Sequence, residues 1–253
     1  MRRRGLQRLI SVKHILKIAT EQELRLYKKN IYPLQDFVCS LLADNKDIYL
    51  TGGTALTRFY FQHRLSEDLD FFIRVGENDT LETIDLQKRT DTYAKDLAGK
   101  LMRKFDIADE WHSDTYSRFY VNTDVVSLKI DFVREYRHIG TLKQQPSGFY
   151  VNNLQDMGAG KIAAFEERCE IKDIVDLFYL TKQIPLPRLF ELADLKRVPI
   201  SYEHLLTINI QGISGVALML QEIDSSELTR FISSLKYHAE FEIKKKRNTS
   251  AQT

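Results

Sequence analysis

Apolar and polar positions alternate in the middle of the chain and predict four short strands. Residues 47–51 and 69–74 form apolar segments next to the glycine pair 52–53, and residues 116–122 and 125–133 flank a turn at 122–124. In the last of these, one face carries apolar side chains at alternate positions: Val126, Leu128, Ile130 and Phe132. The pattern predicts a β-sheet with one buried face.

Apolar residues at helical spacing dominate the two ends of the chain. Leu24, Tyr27 and Ile31 form such a stripe, and Pro33 should bend or restart their helix. The predicted helices cover 6–20, 21–44, 54–63, 80–104, 154–168, 170–182 and 224–240. The predicted organisation is N-terminal helices (1–46), a mixed α/β core (47–153), a helical C-terminal half (154–247) and a flexible tail (248–253).

Composition excludes several classes of protein. With 43% hydrophobic and 28% charged residues among 253, the chain is neither disordered nor of low complexity. The two cysteines, Cys39 and Cys169, cannot build a disulfide framework and are typical of a reducing compartment, so we expect a cytoplasmic protein. The longest uncharged run, 204–221, is broken by polar residues and glycines, which predicts that the chain does not span a membrane.

A glycine pair lies between the first predicted strand and a helix. Gly52 and Gly53 would let the backbone approach a phosphate, and the following helix would offer free amides to an anion. The loop matches neither a Walker A nor a dinucleotide-binding motif. Taken alone, the pair is more typical of a tight connection than of a phosphate site.

Two aspartates begin the second predicted strand. On a strand, side chains two apart lie on the same face, so Asp68 and Asp70 can converge on one divalent cation while Leu69, Phe71 and Ile73 face the core. Carboxylate oxygens suit Mg²⁺ or Mn²⁺. The same Asp-x-Asp pattern also occurs in solvated turns.

A third carboxylate lies within the strand 125–133. Asp131 could pair with Lys129 on an exposed sheet face, or a neighbouring strand could bring it beside Asp68 and Asp70. In the second case, three carboxylates could hold two metal ions. Such a pair of ions stabilises the attacking and leaving oxygens of a phosphoryl or nucleotidyl transfer.

Charged residues in the first two C-terminal helices allow two interpretations. Lys161 lies on an apolar stripe, so its ammonium either reaches water or points into a cleft. A lysine without a protein partner could be replaced by methionine without loss of stability. Asp173 and Asp176 share one helix face, as they would also do on a solvated helix.

Taken together, these segments resemble the nucleotidyltransferase AbiEii/AbiGii toxin family. The matching segments are 52–56 (GGTAL), 63–72 (HRLSEDLDFF), 129–132 (KIDF), 161–168 (KIAAFEER) and 172–177 (KDIVDL). They occur in the expected order over roughly residues 48–180. The resemblance implies an α/β (α+β) fold, with a DNA-polymerase-β-like nucleotidyltransferase core on a mixed sheet and a helical C-terminal half.

The resemblance also implies an activity and its residues. The enzyme would use an NTP with Mg²⁺ or Mn²⁺, often as the toxin of a bacterial toxin–antitoxin pair. The implied metal ligands are Asp68, Asp70 and Asp131. The implied nucleotide-binding residues are Gly52, Gly53, Thr54, Arg64, Ser66 and Lys161, although Arg64 also fits a surface position. Asp173 or Asp176 would supply the acid of the last motif.

Two other functions remain open from the residues. The basic segments at both ends, Arg2–Lys17 and Lys244–Arg247, are also consistent with a nucleotide- or nucleic-acid-binding protein whose catalytic core is degenerate. A metal-dependent nuclease would use the same carboxylates without needing the glycine pair. The sequence does not choose among the four NTPs or among acceptors (a tRNA, another RNA or a protein hydroxyl), and it does not reveal a cognate antitoxin.

Overall fold

The computed structural model describes residues 16–74, 84–113, 115–208 and 213–250. The chain divides into two compact units. Among the described residues, the first unit comprises residues 20–153, and the second combines residues 16–19 with residues 154–250. The predicted N-terminal helical region 1–46 is therefore divided between the two units.

Strand β1 replaces the end of the first predicted helix. Leu16–Ile18 is extended and pairs in parallel with Ala217–Met219, which we call β9. The prediction of a helix through residue 20 is wrong over this segment, because pairing with a strand about 200 residues away determines its conformation. The rest of that predicted helix, residues 6–15, lies outside the described residues.

The first unit begins with the second predicted helix. Helix α1 (Glu21–Leu26) starts at a capping box formed by Thr20 and Glu23, and a π-helical turn (Tyr27–Ile31) connects it to α2 (Tyr32–Ser40). Pro33 occupies the first turn of α2, where no amide donor is needed, so the predicted restart at this proline is confirmed.

A mixed seven-stranded sheet forms the centre of the first unit. Its strand order is β4-β5-β6-β3-β2-β8-β7, with β3 parallel to β6 and β2 parallel to β8. The strands are β2 (Ile48–Thr51), β3 (Leu69–Ile73), β4 (Asp106–His112), β5 (Tyr116–Asn122), β6 (Ser127–Arg134), β7 (Lys143–Gln144) and β8 (Tyr150–Val151). The four predicted strands are confirmed, and β4, β7 and β8 were missed.

One face of this sheet forms the core of the first unit. Leu69, Phe71 and Ile73 are buried, as are Ile130 and Phe132 of the neighbouring strand, so the predicted apolar faces are confirmed. Helix α3 (Gly52–Leu56), with a π-helical extension (Thr57–Phe61), follows β2 directly. Helix α4 (Ile84–Leu101) packs against β4, β5 and β6.

The second unit is mainly helical. Its helices are α5 (Leu154–Arg168), α6 (Ile171–Leu180), α7 (Leu186–Lys196), α8 (Tyr202–Thr207) and α9 (Ser225–Ser250). The prediction missed α7 and α8. Helix α9 continues three residues into the predicted tail, whose last three residues lie outside the described ones. In the described part of the chain, no helix has the length and hydropathy needed to cross a bilayer.

Candidate active site

Two of the three carboxylates of the predicted site lie on adjacent strands, and the third, Asp68, immediately precedes β3. Asp70 is the register partner of Asp131 in the parallel pair β3–β6, and Thr51 faces Asp70 from β2. Residues directly opposite each other on paired strands share a face of the sheet. The prediction that a neighbouring strand brings Asp131 beside Asp70 is therefore confirmed.

Gly52 leaves room for the Asp70 carboxylate. Its φ is +70°, in the region that favours glycine, and a Cβ built on it would lie 2.2 Å from Asp70 Oδ2. No side chain larger than hydrogen fits at this position while Asp70 keeps its place. The glycine thus has a specific steric role beside the carboxylate.

Gly53 lies against a buried arginine. A Cβ at Gly53 would lie 2.2 Å from Arg64 Nη2 and 3.2 Å from Ser66 Oγ. Arg64 is buried, so its interpretation as a surface residue is wrong. The Thr54 hydroxyl donates to the carbonyl of Asp68, and its oxygen lies 2.9 Å from Ser66 Oγ, whose hydroxyl can donate to it. The predicted nucleotide-binding residues of this unit therefore surround one turn.

Four donors contact the Asp131 carboxylate. Arg118 binds it through two nitrogens, Nε to Oδ1 (2.8 Å) and Nη2 to Oδ2 (3.2 Å), and the Tyr116 hydroxyl donates to Oδ1 (2.7 Å). Lys129 Nζ lies 3.3 Å from Oδ2. Burial alone would raise the pKa of Asp131, but the hydrogen bonds from Arg118 and Tyr116 and the charge of Lys129 outweigh burial and lower this pKa.

Lys129 connects the first and third carboxylates. Its Nζ lies 2.9 Å from Asp68 Oδ2, in addition to its contact with Asp131. Burial opposes the charged form of this lysine, but the hydrogen bond to Asp68 and the surrounding carboxylates raise its pKa. The expected Lys129–Asp131 pair therefore exists, within the carboxylate cluster rather than on a separate exposed face.

Asp68 and Asp70 carry the carboxylate oxygens that a divalent cation prefers. Asp70 lies near the start of β3 and Asp68 immediately precedes this strand, while the Asp70 carboxylate packs against Gly52. Asp131, in contrast, already accepts three hydrogen bonds from Tyr116 and Arg118 and forms an ion pair with Lys129. Among the residues that the structure describes, no three His, Cys, Asp or Glu side chains are placed to hold one metal ion together.

The remaining predicted site residues form a cluster in the second unit. Lys161 Nζ on α5 lies 2.9 Å from Asp173 Oδ1 and 2.7 Å from Asp176 Oδ2 on α6. Arg168 contacts both oxygens of Asp173 at 2.8 Å. Both aspartates are fully buried, and the Lys161 side chain is only 9% exposed. The ammonium of Lys161 therefore does not extend to water, and the solvated-helix interpretation of the aspartates is wrong.

The structure describes little of the N-terminal basic segment but most of the C-terminal one. Arg2 to Lys13 lie outside the described residues, and Lys17 lies on β1. In α9, Lys244 pairs with Glu240 at 2.7 Å and Lys245 with Glu242 at 3.5 Å. Acidic neighbours thus offset part of the C-terminal basic run.

Two site residues were not found from the sequence. Tyr116 and Arg118 alternate on β5 and both contact Asp131. The alternation of Tyr116 and Arg118 can be seen in the predicted strand 116–122. Their contact with Asp131, however, depends on the register in which β5 pairs with β6. That pairing brings two positions 13 residues apart into direct contact.

The mixed sheet, the glycine turn and the paired aspartates define a nucleotidyltransferase. The family model described as nucleotidyl transferase AbiEii toxin of a type IV toxin–antitoxin system matches residues 35–240. The chain therefore belongs to the AbiEii nucleotidyltransferase toxin family, and the resemblance stated from the motifs is confirmed.

Solved structures of other bacterial proteins share the fold. JHP933 from Helicobacter pylori superposes with a TM-score of 0.54 at 20% identity, covering 92% of this chain and 98% of that one. MenT4, a nucleotidyltransferase toxin from Mycobacterium tuberculosis, gives a TM-score of 0.57 at 16% identity, covering 83% and 82%. At these identities the likeness supports the fold alone. No curated protein matches the chain significantly in sequence.

Proposed function

We propose that the chain transfers an NMP group from an NTP to an acceptor hydroxyl, as the toxin of a bacterial toxin–antitoxin pair. The observation that carries the proposal is the register of Asp70 beside Asp131, with Gly52 packed against the Asp70 carboxylate. Family membership supports the same reaction class.

In this proposal the triphosphate lies over the turn Gly52–Thr54. Asp68 and Asp70 would hold Mg²⁺ or Mn²⁺, which neutralises charge on the phosphate oxygens. Arg64, packed against Gly53, would add a fixed positive charge beneath the turn. The acceptor oxygen bonds to the α-phosphorus as the bond to the bridging oxygen breaks, pyrophosphate leaves, and the hydroxyl proton passes to solvent.

Asp131 is proposed to orient groups rather than to accept the proton. A lowered pKa makes a carboxylate a weaker base, and the Asp131 oxygens already accept bonds from Arg118 and Tyr116. Its role would be to hold Lys129 and Arg118 beside the reacting phosphate. Catalysis of this kind depends mainly on positioning and on electrostatic stabilisation. A direct contact of Lys161 with the nucleotide stays a prediction.

The test is to incubate the purified protein with each NTP, labelled at the α-phosphate, together with Mg²⁺, bulk RNA and bulk protein. We expect label on one acceptor class and release of pyrophosphate. Asp68→Asn should abolish both, whereas Asp96→Asn, which removes an exposed carboxylate paired with Lys100, should change neither. Transfer that survives Asp68→Asn would refute the proposal.

A binding protein without catalysis is the second candidate. The observation in its favour is that Asp131 already accepts three hydrogen bonds and an ion pair from protein groups, which compete with a metal ion for this carboxylate. It predicts NTP binding with neither label transfer nor pyrophosphate release. Shortening of RNA under the same conditions would indicate a nuclease instead.

The toxin role has its own test and its own partner. Induced expression in a bacterial host should arrest growth, and Asp70→Asn should relieve the arrest at equal protein level. A cognate antitoxin would be recognised as a second protein that restores growth when it is expressed with the active chain.

A further inference from the structure

An exposed tryptophan continues the row of register partners that contains Asp70 and Asp131 on one face of the sheet. Trp111 on β4 is the only tryptophan in the chain and is 53% exposed. It is the register partner of Arg118, which in turn is the partner of Asp131. Register partners share a face of the sheet. Trp111 therefore lies on the same face as Asp131, two strand spacings or about 10 Å away.

A β-bulge places Trp111 in this row. The register of β4 against β5 shifts between Ala108 and Trp111, and Asp109 has a φ of +51°. With uninterrupted pairing from Ala108, Glu110 would stand opposite Arg118 and Trp111 would face the other side of the sheet. Bulges re-aim side chains in this way near active sites. Because of the bulge, the position opposite Arg118 is occupied by the ring of Trp111 instead of the carboxylate of Glu110.

The indole is supported by groups that also contact Asp131. The rings of Trp111 and Tyr116 lie 5.2 Å apart, and the Arg118 guanidinium lies 5.1 Å from the Tyr116 ring centroid. We call these three residues the Trp111 platform. An exposed aromatic ring next to a guanidinium suits a planar base attached to a phosphate.

The direction of the proposed reaction indicates which ligand meets this platform. In an in-line displacement, the attacking oxygen approaches the phosphorus opposite to the leaving pyrophosphate. If the triphosphate lies over the glycine turn beside β2, the acceptor enters from the side of β5 and β4. The Trp111 platform is on that side of Asp131.

We infer that Trp111 stacks on a nucleobase of the acceptor, which makes the acceptor a single-stranded nucleic acid rather than a protein. The inference rests on the proposed function, because it uses the position assigned to the triphosphate. It adds a binding residue about 10 Å from Asp131, outside the motifs shared with the family. The indole contacts a base next to the reacting hydroxyl and takes no part in the chemical step.

The single tryptophan allows a direct binding test. A short single-stranded oligoribonucleotide with a free 3′ end should quench the fluorescence of Trp111, and an abasic strand of equal length should quench it much less. Trp111→Ala should weaken binding of the labelled oligonucleotide roughly 5- to 150-fold, the range expected for loss of one base–aromatic stack. Trp111→Phe should keep most of the affinity.

Tyr136→Ala is the matched control. Tyr136 is also an exposed aromatic residue of this unit with an arginine, Arg134, over its ring at 5.2 Å. This variant should bind the oligonucleotide normally. In transfer assays, Trp111→Ala should raise the KM for RNA while the affinity for NTP stays unchanged, a pattern that a general loss of structure would not give.

Several results would overturn the inference. Equal RNA affinity of Trp111→Ala and Tyr136→Ala would do so, as would label that accumulates on protein hydroxyls instead of RNA. In both cases continued release of pyrophosphate would leave the proposed function intact. Absence of pyrophosphate release with every NTP and both acceptor classes would refute the proposed function and the inference together.

Discussion

Replacement of Gly52 by alanine should lower the transfer activity of the protein much more than its stability. The new Cβ would lie 2.2 Å from Asp70 Oδ2 and 3.1 Å from Asp70 Cγ, so the carboxylate has to move. A left-handed conformation costs an alanine about 1–2 kcal/mol. The lower entropy of the unfolded alanine chain offsets about 0.4–1 kcal/mol of this cost. The net loss of about 1 kcal/mol corresponds to a Tm lower by roughly 2–4 °C.

The effect of Gly52→Ala on transfer should be much larger than its effect on folding. A displacement of about 1 Å in a reacting group can reduce the rate about 100-fold. We therefore expect at least a 100-fold lower kcat/KM beside a nearly normal Tm, measured by pyrophosphate release and by calorimetry.

Gly99→Ala is the control for Gly52→Ala. Gly99 lies in helix α4, and a Cβ there would meet no atom within 4 Å. This variant should raise the stability by about 0.4–1 kcal/mol and leave transfer unchanged. The steric argument fails if Gly52→Ala retains transfer within a few-fold of the native rate. It fails also if the Gly52→Ala protein loses its fold, because the clash would then not be confined to Asp70.

Three further substitutions test the charged clusters. Lys161→Met removes the ammonium between two buried aspartates and should lower the free energy of unfolding by about 3–5 kcal/mol in urea titrations, whereas Lys172→Met, at an exposed pair, should change it little. Asp131→Asn should lower the free energy of unfolding at pH 7, because folding lowers the pKa of Asp131 and the ionised carboxylate therefore stabilises the native state. The difference in stability between the native protein and this variant should persist down to the unfolded pKa of about 3.9 and disappear as the pH falls further. A difference that grows in acid would contradict the pKa assignment. Asp70→Asn should reduce Mn²⁺ binding in calorimetry, and unchanged binding would remove Asp70 from the metal site.

Local periodicity was sufficient to predict the strands that contain the aspartates. In β3, and in β6 from Leu128 to Phe132, each second residue is apolar and buried, so the face on which Asp70 and Asp131 lie follows from the alternation. The order of the strands does not follow from local pattern. It depends on long-range pairing, such as the parallel register between Asp70 and Asp131.

The missed strand and the wrong interpretation of Lys161 have physical causes that the local sequence pattern does not reveal. Strand β4 alternates poorly because a bulge interrupts it and none of its side chains is fully buried. For Lys161, the sequence indicated an apolar stripe but not that α6 places Asp173 and Asp176 beside it. The expectation that Lys161→Met would leave stability unchanged is therefore replaced by a predicted large loss.

The pairing of β1 with β9 also sets the time at which the second unit can be completed during synthesis. Leu16–Ile18 emerges early, but its partner Ala217–Met219 follows about 200 residues later. At roughly 5–20 residues per second, residues 154–250 require about 5 to 20 s after the last strand of the first unit has been made. During most of that interval the ribosome carries the finished sequence of the glycine turn and its aspartates, while β1 still lacks its partner strand β9. The β1–β9 pair of the second unit therefore cannot close before translation has passed residue 219.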